Sequence, residues 1–83
     1  MTREEFISSV VEERDYQNAK WGSDFDDKNT VNDWVVYLCS YAGMASSGER
    51  EFEQAMVKVA AIALAAVETH ERNGGLAPRH YDG

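Results

Sequence analysis

The sequence predicts an all-α protein of three helices, the third long and apolar, and three observations carry that expectation. First, the run Ala55–Val67 (AMVKVAAIALAAV) holds one charge, Lys58, and neither Gly nor Pro. Alanine is the strongest helix former, with Met and Leu close behind. Second, Thr2 with Glu5 and Thr30 with Asp33 have the spacing of capping boxes, which mark helix starts. Third, Gly22, Gly48 and the pair Gly74-Gly75 fall where each helix would stop. A helix apolar nearly all round has to be surrounded by other helices. This run is too short to span a bilayer, so no membrane segment is expected.

The chain has 83 residues. It makes one helical domain over 1–75 with a short tail over 76–83, and a core barely large enough to stand alone. A single cysteine, Cys39, rules out an internal disulfide, and no Cys/His cluster has zinc spacing. With no staple, a homo-oligomeric helical bundle is the expected source of further buried area. Met1-Thr2-Arg3-Glu4-Glu5 is not a basic region followed by an apolar run, so a cytoplasmic location is expected. Eight Lys plus Arg against fifteen Asp plus Glu give a net charge of −7. That field repels nucleic-acid backbones. Acidic mimicry of DNA is the lesser reading, because acidic side chains are the ordinary solubilising choice on helices.

Helix 1 should begin at Arg3 and end at Ala19 or Lys20. Phe6, Ile7, Val10 and Val11 mark its apolar face. Arg14, Gln17 and Trp21 lie along one stripe at i, i+3 and i+7. The segment 23–29 reads as an acidic, solvated loop with Phe25 as its buried candidate. Asp24, Asp26 and Asp27 lack the central Gly and terminal Glu of a calcium loop. Helix 2 follows Thr30, with Trp34, Leu38 and Tyr41 or Ala42 facing inward and Asp33, Tyr37 and Tyr41 stacked beside them. Cys39 reads as a small packing residue. Gly43, Ala45, Ser46 and Ser47 allow a close approach of another backbone. Ser47 or Gly48 caps helix 3, whose positive end suits Glu49, Glu51 and Glu53. Helix 3 should reach Arg72, roughly 24 residues or about 36 Å. Leu76 and Tyr81 could lay the tail on a neighbour; His70 and His80 read as surface residues.

Two features rise above core and caps. Glu13-Arg14, Gln17 and Lys20-Trp21-Gly22 gather a guanidinium, an amide, an ammonium and an indole near a helix end, a set able to hold an anion and stack a base. The competing reading packs Trp21 under the loop and pairs Arg14 and Lys20 with carboxylates. Lys58 is the other. A lone ammonium in an apolar helix needs an acid (Glu51, Glu53 or Asp33) or a ligand phosphate.

The order Glu13-Arg14, Gln17, Lys20-Trp21-Gly22, acidic loop, Trp34, Leu38, Tyr41, Gly43, Ala45, then Val57-Lys58-Val59-Ala60-Ala61-Ile62-Ala63 and Glu68 resembles small MazG-like members of the all-α nucleotide pyrophosphohydrolases. The resemblance covers about residues 12–68 and implies a three-helix MazG-like module; many such proteins are short phage or bacterial ones. In the active family two acidic helix motifs hold magnesium. Here Ser40, Tyr41 and Met44 stand where the first belongs, and Ala55 and Lys58 where the second belongs. None is acidic, so the resemblance implies the fold without the catalysis, and neither metal nor cofactor is expected. The leading expectation is a non-catalytic protein binding a nucleotide or similar anion through Arg14, Gln17, Lys20, Trp21, Tyr37, Tyr41 and Lys58. Sequestering such a molecule in an anti-defence role would suit a phage source. The alternative is an acidic interaction or inhibitor module without a pocket. An active pyrophosphohydrolase is third.

Overall fold

The computed structural model describes residues 1–45 and 48–78, with the backbone alone at 49 and 50. The readings of Ser46, Ser47, His80, Tyr81 and the Glu49 side chain lie outside the described residues. The architecture is all-helical: α1 (Arg3–Asp27), α2 (Val31–Met44) and α3 (Glu49–Asn73). Both capping boxes form. The Thr2 hydroxyl accepts from the Glu5 N–H while Glu5 reaches back to the Thr2 N–H, and Thr30 with Asp33 repeats the arrangement. Each box satisfies orphan donors at a helix start. At the other end of α3, Gly74 adopts φ 67° and its N–H returns to the His70 carbonyl, as a left-handed glycine stop requires.

The first correction concerns Gly22. It breaks the helix as expected, with φ 78° and ψ 171°, a region open essentially to glycine alone. The chain does not then become a loop. It resumes as a helical turn through Asp27, so most of the segment 23–29 is helical and α1 runs past Lys20. The break redirects this turn back over the bundle.

Contacts along the helices set their directions. The Met1 amino group meets Glu53, Arg14 meets Glu68 and Asp27 meets Arg72, so α1 runs parallel to α3. Trp34 packs with Ile62 and Ala65 while Tyr41 lies beside Lys58, so α2 runs antiparallel. Both α1, which is as long as α3, and the shorter α2 pack along α3. The core sits where they converge: Trp34, Ile62 and Ala65, flanked by Tyr37, Leu38, Tyr41 and Leu76. Leu76 thus folds onto its own chain, and Ala77 forms a bridge with Thr30. That pins the start of the expected tail.

One chain encloses α3 on one side only. Ala55, Val57, Ala61, Ile62 and Ala65 are buried, yet Val67 is 66% exposed and Phe52 half exposed. On α1, Phe6 and Val10 are half-buried while Ile7 and Val11 face out. Cys39, expected to pack, is exposed. Its position on α2 faces away from α3, so nothing covers it.

Candidate functional site: an aromatic cavity between α1 and α2

Trp21, Tyr37 and Tyr41 line a cavity of about 170 Å³ over α3, together with Phe25 and Trp34. Ile62 and Ala65 form its floor, and Arg14, Gln17 and Asp26 supply the polar part of the wall. The helix spacings explain the convergence. Arg14, Gln17 and Trp21 share one face of α1; Trp34, Tyr37 and Tyr41, at i, i+3 and i+7, share one face of α2. The Gly22 break then carries Phe25 across to the second group. Trp21 and Phe25 stack at 5.9 Å between centroids and 26° between planes, and Phe25 and Tyr37 at 6.4 Å and 23°. Trp34 meets Tyr37 edge-on at 6.1 Å and 88°. Phe25 is therefore half exposed within this ladder, not buried under a loop.

Five of the seven residues singled out from sequence thus share one cavity: Arg14, Gln17, Trp21, Tyr37 and Tyr41. Lys20 and Lys58 do not line it. Lys20 is exposed, with Nζ 5.0 Å from the Trp21 ring centroid, one position off the Arg14–Gln17–Trp21 stripe. Lys58 lies behind Tyr41, 5.9 Å from that ring centroid, and its Nζ is 3.6 Å from Glu13 Oε1. The carboxylate beside Lys58 is thus on α1. Glu13 also accepts from Gln17 Nε2 at 3.2 Å, so it ties the amide to the ammonium. Trp34, Phe25 and Asp26 were not read as site residues. The i, i+3, i+7 run of Trp34 with Tyr37 and Tyr41 is the signal that joins Trp34 to the two tyrosines, whereas its inward stripe alone reads as core.

Arg14 is buried and committed. Its Nε donates to Glu68 Oε1 at 2.7 Å and its Nη2 to Asp26 Oδ2 at 3.3 Å. Two carboxylates against one guanidinium leave no excess positive charge in the cavity wall. Burial raises the Asp26 carboxyl above its ordinary range, opposed chiefly by the Arg14 charge. The adjacent Asp27 moves the other way, lowered by hydrogen bonds from Arg72 and Asn73. Burial also raises the Tyr37 phenol, with Asp33 and Asp26 adding to the effect. Tyr37 therefore stays a neutral donor, reaching Asn29 Oδ1 at 3.4 Å. Two buried donors find no partner among the described residues: Trp34 Nε1 and Asn29 Nδ2.

Among the described residues no three His, Cys, Asp or Glu side chains are grouped to hold a metal ion. No described helix is long and apolar enough to cross a membrane.

Fold and cavity together define a class: an open three-helix protein whose apolar core is hollowed into an aromatic-lined site. Comparison with protein-family models, curated proteins and solved structures finds no match that would narrow the class further.

Proposed function

We propose that this chain is a non-catalytic, MazG-like binding module for a nucleotide or a similarly built molecule, sequestering it by stacking its ring in the aromatic cavity. The supporting observation is the convergence of five aromatic side chains from two helices on one cavity with a polar wall. Its size sharpens the reading. A cavity of roughly 150 Å³ accepts benzene, whereas whole drug-sized ligands take about 300 Å³ or more. A space of about 170 Å³ holds a ring and leaves a sugar and phosphate outside. Lys20, exposed with its Nζ 5.0 Å from the Trp21 ring centroid, suits an external phosphate. Arg14, already shared by two carboxylates, does not.

The reading extends to a cytoplasmic homo-oligomer. An open groove lined by Phe6, Phe52, Met56, Val59 and Ala60 supports self-association, since the groove leaves apolar area of α3 uncovered.

Calorimetry against mono-, di- and cyclic nucleotides tests the proposal. Saturable binding by the wild type is expected. Trp21→Ala should weaken it by about 1–3 kcal/mol, the usual value of a base–aromatic stack. Absence of binding to every member of the panel would overturn it.

A further inference from the structure

A helix with one face in water ordinarily carries its charges there, and a helix apolar on both faces has to be enclosed. In this chain the helix of the second kind is α2. Trp34, Tyr37, Leu38 and Tyr41 pack towards α3. On the opposite side Val31, Val35 and Val36 are each about half exposed, and exposed Cys39 and Gly43 continue that side. The one charged residue of α2, Asp33, is engaged in the capping box at its own start. The other helices interleave exposed apolar residues with charge: Val11 lies beside Glu12 and Asp15, and Val67 beside Glu68 and Glu71.

Val31, Val35, Cys39 and Gly43 follow one another at i, i+4, i+8 and i+12. Rows of this spacing form the ridges by which helices most often pack. The row is large at its start and small at its end, and a methyl added at Gly43 would meet no heavy atom within 4 Å. Turned end for end, a second copy of the row is its own complement, with Val31 opposite Gly43 and Val35 opposite Cys39. A two-fold interface requires that self-complementarity. We propose that the outer face of α2 is where two copies of this chain meet, α2 against α2 and antiparallel. The inference rests on the homo-oligomer reading above and assigns it a surface, distinct from the Phe52 groove. Charge favours the same occupant. Each chain carries −7, and this face lets two of them meet without bringing acids together. A lipid surface would call for Lys or Arg beside the apolar face, and α2 has neither.

The full chain tests this through its single cysteine. In the antiparallel register the two Cys39 residues stand four residues apart along the helix axis, about 6 Å, within reach of a short bismaleimide. A covalent dimer should be the main product under native conditions and should disappear in urea. Val35→Lys places an ammonium at the centre of the face. It should return the mass seen by light scattering to that of one chain and abolish the cross-link, with the helical circular dichroism unchanged because Val35 is half exposed in the single chain. Should that variant fail to fold, the wild-type cross-link decides alone, and its absence overturns the inference. A mass that falls in Phe52→Glu and stays unchanged in Val35→Lys overturns the α2 surface and leaves the homo-oligomer reading standing. A wild type that scatters as one chain up to near-millimolar concentration overturns both.

Discussion

The two halves of α3 meet the rest of the chain differently. Around Ile62 to Asn73 one face of the helix is closed in, while Val67 on the other stays exposed. Trp34 and Leu76 cover Ile62 and Ala65, Arg14 ties Asp26 to Glu68, and Asp27 accepts from Arg72 and Asn73. Around Phe52 to Ala60 the helix is open. Its cross-link to the start of α1 is an exposed pair between the Met1 amino group and Glu53, and its apolar groove faces solvent. The contrast teaches that α3 does not decide its own burial. What α1 and α2 bring to each level decides it: tryptophan, tyrosine and a buried arginine at one end, the half-buried Phe6 and Val10 at the other.

The contrast breaks most completely if the closed half loses Arg14. Arg14→Met leaves Asp26 buried without its cation, and losing one partner of a buried pair costs about 3–5 kcal/mol. The pH dependence has a defined sign. Because the folded-state pKa of Asp26 is raised, its contribution is fullest below the ordinary carboxylate range and is lost as pH rises through the folded value. The deficit of Arg14→Met should therefore be smallest in acid and grow towards neutrality. Asp27 is lowered, so its contribution is present above the ordinary range and lost as pH falls. The deficit of Arg72→Met should thus vanish in acid. Urea unfolding of both variants across that range should show both deficits growing from acid towards neutrality; a deficit that is constant or largest in acid would contradict the assignment.

Gly22 sets the angle of the turn that carries Phe25 and Asp26 to the closed half. An alanine there meets no heavy atom within 4 Å, so its cost is purely that of the backbone at φ 78°, about 1–3 kcal/mol. Thermal unfolding should show this loss. Near-ultraviolet circular dichroism should show the Trp21–Phe25 stack altered. An unchanged spectrum would mean the turn does not depend on the break.

The open half gives the smallest effect on stability and the clearest one on assembly. Phe52 is half exposed, so Phe52→Glu should change the stability of a single chain by no more than about 0.5 kcal/mol. If the groove is covered by a second copy, the same substitution should lower the mass seen by light scattering. A wild-type mass of one chain, or an unchanged mass in the variant, would argue that the groove stays open to water.

Much of the fold was legible because its signals are local. The residues of each capping box are three apart, and the Gly22 and Gly74 breaks are properties of one residue's dihedral angles. The faces carrying Arg14, Gln17 and Trp21, and Tyr37 with Tyr41, follow from helical spacing alone, which is why those five were found. Lys58 was offered Glu51, Glu53 or Asp33, and the structure places Glu13 beside it, because an acid on another helix has no signature in spacing. Asp26 was read as solvated for the same reason. Its burial follows from the turn after Gly22 and from a guanidinium twelve residues away.

The sequence by itself determined three helices, their starts, the breaks at Gly22 and Gly74 and the faces they present, because each depends on groups within about four residues of one another. The tertiary structure alone decided which carboxylate is buried, which half of α3 is closed and which donor is left without a partner. Those outcomes depend on contacts such as Arg14 to Glu68, 54 residues apart, which exist only once α1 and α2 have been laid along α3.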